Sequence, residues 1–450
     1  MDKGFDRVVE VITRLCKGRV DSYEVFLSSS QGIAVEAREK KVDALKVSRS
    51  EGAAVRTLCK GRPGFGFSNV FAEDALKDMV ELTIAGSSGA AEDGYLSFPR
   101  PSGPPQIVLP LLDTVDPAFE GVSEVELAGR AISIEEAALS FDPRVKRVRK
   151  AAYGETKASA RTVNSNGVDV SYDATFFSGS VVAVAEEGGD SQMGWDTGMG
   201  HKRADVDCTA IAKGAGERAV SLLGARTLKT LKCPAVFENT VVIEFIDVLS
   251  SSFLADMVLK GKSMLAGKRG KKVVSRVLNL TDDGLMRGGW ASSLYDCEGV
   301  LKKKTPLIRE GLCMGFLYDT YWAKREGVLS TGNAARPGWK GVPSVGTSNL
   351  SMEEGEKSLA ELFSDMGSGL FIREAMGVHT VDPVSGEFSL GASGLWIEGG
   401  KPAYPVRGIA IAGTLLDLFS KVEAVGNDMR FLGSTGAPSL LFGEINASGA

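Results

Sequence analysis

The feature that most limits the fold is a series of short alternating runs, YEVFLS, GIAVEAR, ALKVSRS, AAVRTLCKG and GFGFS, spread over residues 23–68 and separated by glycine and charged turn residues. Alternation with a period of two sends successive side chains to opposite faces of a strand, so this stretch reads as an antiparallel meander with one face buried. A helix should precede it, because Phe5, Val8, Val9, Ile12, Leu15 and Cys16 recur at helical spacing over residues 4–17. A second helix is expected at 72–86. The segment PRPSGPP at 99–105 then stops regular structure, since proline fixes φ and removes a backbone donor.

The same order returns further along. Ser123 with Glu126 forms a capping-box signature, and Val125, Ala128, Ile132 and Leu139 fall on one face of a helix over 124–141. Strand-like runs at 145–186 and a helix near 205–223 follow. Beyond residue 225 glycine dominates the texture. The chain has 54 glycines against 16 prolines, without a fixed period and most densely between 311 and 449, which excludes a collagen-like chain and favours strands joined by tight turns. Helices are expected only at 243–260, with Phe245, Val248, Leu249, Ser252, Phe253 and Met257 on one face, and at 414–423. The fold class is therefore α+β. Helix/antiparallel-meander units at 1–98 and 123–225, joined by a Pro-rich linker at 99–122, precede a large β-rich, barrel-like carboxy-terminal domain at 226–450.

Charge and cysteine usage narrow the function classes. The formal charge of −5 gives no global attraction for nucleic acid or an anionic membrane. No run of 18 apolar residues could span a bilayer, and MDKGFDRVVEVITRLCKGR lacks the uninterrupted apolar region of a secretory signal. The six cysteines, at 16, 59, 208, 233, 297 and 313, form no CxxC and read as reduced thiols, so a cytoplasmic location is expected.

Few residues carry chemistry of their own. The two histidines, His201 in GMGHKR and His379 in GVHTVDP, belong to no HExxH and read as ordinary surface or second-layer side chains. The stretch KGKSMLAGKRGKK at 260–272 has six basic residues but the wrong spacing for a phosphate-binding loop, so it reads as a solvated loop. Ser250, Ser251 and Ser252 have no base beside them and read as helix-packing residues.

Read as a block, the carboxy-terminal half resembles the TldD/PmbA family, once called modulators of DNA gyrase. The matching text is YDTYWAKREGVLSTGNAAR at 318–336, SNL at 348–350, FSLGASGLWIEGGKPAYPVRGIAIAG at 388–413, VEAVGNDMRF at 422–431 and GSTGAPSLLF ending at 442, with GRPGFGFSN at 61–69 as a weaker amino-terminal match. The resemblance implies a bacterial protein with one of two roles. TldD-like subunits bind zinc through an HExxxH helix and a late cysteine; TldE/PmbA-like subunits share the fold without those ligands and assemble with them into one peptidase for unfolded peptides.

Where that helix should fall, this chain reads VVIEFIDVLSSSFLADM, 241–257, with no histidine, and its last cysteine is Cys313. No catalytic and no metal-binding residue is therefore expected here. No cofactor is expected on this chain, and zinc is expected on the TldD-like partner. The expected role is a non-catalytic subunit in peptide maturation, paired with a TldD-like catalytic subunit, homodimeric in isolation, with a peptide in the shared cleft. Glycine-rich strand 388–398 would hold peptide or partner by strand addition through Leu390, Gly391, Ala392, Ser393, Gly394 and Trp396. Two other readings stay open: a stand-alone metallopeptidase using His379, Asp382 and Glu387, and a DNA gyrase-associated regulator acting through 260–272.

Overall fold

The computed structural model of the chain describes residues 3–101, 112–120 and 123–449; much of the expected linker, residues 102–111 and 121–122, lies outside the described residues. Helix α1 (Lys3–Cys16) forms where the spacing predicts it and buries Phe5, Val8, Val11, Ile12 and Cys16. Strands β1 (Ser22–Arg38), β2 (Lys41–Cys59) and β3 (Arg62–Ser68) and helix α2 (Glu73–Ser87) follow. The five alternating runs are thus three strands. Gly32 and Gly52 punctuate the sequence without turning the chain, and each is small because something lies against it. A Cβ on Gly32 would meet Thr156 Oγ1 at 2.5 Å, and one on Gly52 would meet the Trp339 ring at 2.2 Å. The real turns are two-residue hairpins at 39–40 and 60–61, whose residues all have positive φ.

Helix α3 (Glu124–Phe141) opens with the expected capping box, in which the Ser123 amide donates to the Glu126 carboxylate at 2.9 Å and the Glu126 amide donates to the Ser123 hydroxyl. Its buried face differs from the expected one. Leu127, Ala131, Ile134 and Ala138 point inward, whereas Val125 is 79% exposed. Alanine and isoleucine lie nearly all round this helix, so periodicity gives the period and leaves the phase to packing. Strands β4 (Val145–Asn164), β5 (Asp169–Glu187) and β6 (Asp190–Gly200) and helix α4 (Cys208–Ser221) complete the amino-terminal half.

These strands form one antiparallel sheet in the order β3-β2-β1-β4-β5-β6. The two meanders meet along β1 and β4, paired from Glu24↔Asn164 to Ala37↔Ala151. Two helix pairs cover one face. Helices α1 and α2 close over Val25, Leu27, Ala53 and Val55, and α3 and α4 close over Val35, Tyr153, Phe177 and Val181. The other face carries Phe26 and Ala54 against Trp339 from the carboxy-terminal half.

In that half, β7 (Leu231–Phe237) and the strands Gly369–Met376, Glu387–Glu398, Lys401–Thr414 and Leu440–Ser448 close into a five-stranded barrel through pairing of the last two. A second sheet of short strands, which includes Leu280–Asp283, Leu350–Met352, Arg430–Leu432 and Thr435–Ala437, packs on the same core. Phe237, Phe245, Phe253, Phe419 and Phe442 fill it, each fully buried aromatic stabilising by roughly 1.5–3 kcal/mol. The expected α+β class with a barrel-like carboxy-terminal domain is what the chain adopts.

The expected helix over 243–260 is broken. Helix α5 (Asn239–Ser250) gives way to a 3-10 turn at Ser251–Phe253 and a short helix at Ala255–Leu259. Ser250 Oγ donates to the Asp247 carbonyl at 2.6 Å and Ser251 Oγ to the Val248 carbonyl at 3.1 Å, local bonds that compete with continued α-helix. Among the described residues no helix is long and apolar enough to cross a membrane.

A buried charge cluster joins the two halves. Arg56 on β2 grips Glu24 on β1 through two bonds of 2.9 and 2.6 Å and also reaches Glu298 at 2.9 Å, while Arg336 binds the same Glu24 from the carboxy-terminal side. Burial by itself would raise the Glu24 carboxyl, but the Arg56 and Arg336 guanidinium groups outweigh it and hold it below its ordinary value.

Candidate functional site

Helix α5 starts immediately after β7 and runs between the barrel and the second sheet, with contacts to the strands Gly369–Met376, Arg430–Leu432 and Thr435–Ala437. Its apolar side, Val241, Val242, Phe245, Ile246 and Leu249, is buried in the core. Its polar side, Thr240, Glu244 and Asp247, faces a seam to which the amino-terminal half also contributes. Arg218 on α4 reaches across, with Nη1 2.7 Å from Glu238 Oε2 and the guanidinium 5.6 Å from the centre of the Trp195 ring. Arg373 approaches the other oxygen of Glu238 at 3.3 Å and donates to Ser221 Oγ at 2.9 Å. Arg430 pairs with Asp196 on β6 and donates to the Thr197 carbonyl at 3.1 Å. Both halves therefore build this seam, and neither would hold its geometry alone.

Carboxylates concentrate at its centre. Burial pushes the Glu244 carboxyl up to about 7, Glu374 and Asp247 push the same way, and Arg218 opposes them. Glu374, on the barrel strand next to α5, accepts from Ser393 Oγ at 3.0 Å. Asp247 accepts from Thr435 Oγ1. With its carboxyl raised toward neutrality, Glu244 lies close to the carboxylates of Glu374 and Asp247, a setting that can pass a proton or donate to a carbonyl.

A zinc centre does not fit this donor set. Helix α5 offers carboxylates only, its neighbours are Ser393, Thr435 and the cation of Arg218, and no imidazole or thiolate joins them. Among the described residues no group of three or more His, Cys, Asp or Glu side chains is placed to hold a metal ion.

The other candidates are dispersed. His201 is buried at the end of β6, with Nδ1 2.7 Å from the Thr175 carbonyl and Nε2 3.0 Å from the Gly289 carbonyl, packed between Phe176 and Trp290. This is a tie between the halves. His379 is exposed in the turn Val378–Thr380, and the Asp382 carboxylate is engaged by the Val384 and Ser385 amides at 2.7 and 3.1 Å, which lowers its pKa. The basic stretch 260–272 is anchored by buried Ser263 and Leu265, and Arg269 donates to the Tyr318 hydroxyl at 2.9 Å.

Leu390, Gly391, Ala392, Ser393, Gly394 and Trp396 lie on the barrel strand Glu387–Glu398, which pairs on one side with Gly369–Met376 and on the other with Lys401–Thr414. Main-chain strand addition along it is therefore closed off. Gly394 shows how tight the wall is, since a Cβ there would meet the Phe371 carbonyl oxygen at 1.8 Å. Of the six, Ser393 reaches the α5 seam, and Trp396 instead stacks with Tyr404. Sequence reasoning passed over Glu244, Glu374 and Arg218, which come from three separate elements and share no local motif.

Three family descriptions match in order: PmbA/TldA metallopeptidase domain 1 at residues 23–87, the central domain at 117–223 and the C-terminal domain at 230–449. The chain belongs to the PmbA/TldD family. It is 28% identical to metalloprotease PmbA of Escherichia coli O157:H7, over 99% of this chain and 96% of that protein. It is likewise 28% identical to a metalloprotease of Methanothermobacter thermautotrophicus, over 93% and 91%. A Thermotoga maritima structure whose name refers to a modulator of a DNA gyrase superposes with a TM-score of 0.91 at 25% identity, covering 99% of this chain and all of that one. TldE from Thermococcus kodakarensis shares the fold, with a TM-score of 0.89 at 21% identity over 98% of this chain and all of that one.

Proposed function

We propose that this PmbA/TldD family member is a non-catalytic TldE/PmbA-like subunit of a zinc metallopeptidase for unfolded peptides, with the metal supplied by a TldD-like partner. The observation that carries the reading is the donor set along α5. Helix α5 carries Glu244 and Asp247 and no imidazole, and the Arg218 cation lies close to Glu244, which disfavours a dication. A carboxyl raised by burial, as at Glu244, suits a peptide carbonyl or amide better than a metal.

The test is reconstitution. The purified chain mixed with a TldD-like protein should form a complex that cleaves an unfolded peptide faster than the TldD-like protein alone, and a lack of both association and stimulation at micromolar concentrations would sink the proposal. The relatives' names favour a second reading, in which the chain is a metallopeptidase by itself. Metal analysis separates the two: stoichiometric zinc in the isolated chain, lost with activity on His379→Ala, would establish the second reading and remove the first.

A further inference from the structure

A cavity of about 300 Å³ lies between the two halves and shares no lining residue with the α5 seam. One wall is the second face of the amino-terminal sheet. Phe26 of β1 stands opposite Thr162 of β4, Thr162 opposite Val170 of β5, and Ala160 opposite Tyr172, so these side chains all leave the sheet on the same side. The other wall is carboxy-terminal and is built from 291–297, Lys302 and 334–336. Ser171 and Ala335 in this lining are exposed, so solvent reaches the space. Its volume is at the lower end of small-molecule sites, which run from roughly 300 to 1,000 Å³.

The acceptors around the cavity are used. Asp296 Oδ1 takes the amides of Glu298 and Val300 at 2.9 Å, and its Oδ2 takes the amide of Ala334 at 3.0 Å. The Cys297 carbonyl takes the Thr162 hydroxyl at 3.0 Å. The donors are not used up. The Arg336 side chain is 2% exposed; it binds Glu24 and the Gly341 carbonyl, yet its buried Nε has no hydrogen-bond partner among the described residues. Lys302 Nζ donates once, to the Ala291 carbonyl at 3.1 Å, and forms no ion pair among the described residues. Burial holds its ammonium below the ordinary lysine value, although Asp282 and Asp296 pull the other way. Asp282 is itself engaged, by Asn333 Nδ2 at 2.8 Å and the Ser348 amide at 2.6 Å. A buried cation with spare donors is costly until an acceptor meets it.

We infer that this cavity binds a small organic carboxylate, its oxygens taken by the spare donors of Lys302 and Arg336 and its apolar body lying against Phe26, Val170 and Leu294. The inference does not rest on the function proposed above. A cation would meet two positive side chains, a neutral molecule would bring Lys302 no counter-charge, and an inorganic anion would leave the apolar wall unused. Because the walls come from both halves, an occupant adds to the joint that Glu24, Arg56 and Arg336 already make.

Titration calorimetry on the full chain tests this with four probes. Phenylacetate and 3-methylbutanoate carry a carboxylate on an apolar body, phenylacetamide keeps the shape without the charge, and phosphate keeps the charge without the body. At least one of the two carboxylates should bind once per chain, in the millimolar range or tighter, and should raise the melting temperature. Phenylacetamide and phosphate should bind about tenfold more weakly, or not at all. Lys302→Met should weaken carboxylate binding by about tenfold or more while the free chain unfolds at an unchanged or higher temperature, since a buried unpaired charge is gone. Ala335→Phe, at an exposed position of the lining, should block entry and weaken binding as much. The inference is overturned if neither carboxylate binds at about 10 mM, if phenylacetamide or phosphate binds as tightly, or if binding survives both substitutions and so belongs elsewhere. It is also overturned if Lys302→Met lowers stability and leaves binding alone, because Lys302 would then be only a tie to Ala291.

Discussion

The two halves of the molecule solve the same problem in opposite ways. The amino-terminal sheet is open: its helices cover one face, its other face rests on the carboxy-terminal half, and part of β2 remains unpaired. The carboxy-terminal barrel is closed on itself, so it has no edge to offer and its interior is filled with aromatic side chains. An open sheet keeps its capacity to recruit partners, and a closed one gains the rigidity that lets it hold half-buried Glu374 in fixed relation to Glu244 on the helix packed against it. The seam between them inherits both properties.

The comparison would break most severely at the joint. Glu24→Ala leaves Arg56 and Arg336 buried with their shared acceptor gone, and should cost about 3–5 kcal/mol in urea unfolding, with the two halves melting in separate steps. Unchanged stability would mean that the halves stand independently. Glycine to alanine sharpens the contrast within strands. At Gly394 in the barrel the new methyl strikes the Phe371 carbonyl and should cost about 1–3 kcal/mol. At Gly154 in the open sheet the nearest atom is 3.4 Å away, and the change should fall within about 0.5 kcal/mol of neutral.

A pH series probes the seam. Glu244 is held near 7 in the folded chain against an ordinary value of 4.5, so the folded state retains a proton that the unfolded chain releases. Its contribution is fully favourable below pH 4.5 and is lost as pH rises to about 7. Glu244→Gln should flatten the fall in stability across that window by on the order of 1–2 kcal/mol. A shallower slope should persist, because Asp296 and Asp319 are also raised, to about 7 and about 6, chiefly by burial. A further probe lies in the amino-terminal half. Ser123→Ala removes the cap of α3 and should cost about 1 kcal/mol, read as a small drop in melting temperature with the barrel's aromatic signal intact.

Local patterns in the chain predict the elements that local energetics decide. The face of α1 and the capping box at Ser123 and Glu126 depend on neighbours within a few residues, and the structure has them where the sequence places them, whereas along β1 and β2 the strands form but both faces are buried near Phe26 and Ala54 and residues 41–50 are all exposed. Long-range partners are another matter. Gly32 and Gly52 look like turn residues until Thr156 and Trp339 are seen against them. The single sheet depends on β1 meeting β4 across more than a hundred residues, and no short motif announces such a pairing. The seam fails to show for the same reason, since Arg218, Glu244 and Glu374 become neighbours only after three elements have packed. Family resemblance supplied what spacing could not, the expectation that α5 would be the helix to inspect.

Closure of the barrel also sets an order of events during synthesis. Residues 440–448 lie between β7 and the strand Lys401–Thr414 and complete the ring. While a ribosome is still making this chain, the amino-terminal sheet has every strand it needs long before the barrel has its last one. Nascent molecules must therefore wait with an unfinished cylinder whose hydrophobic lining is uncovered, and that interval is when a chaperone would have most to protect.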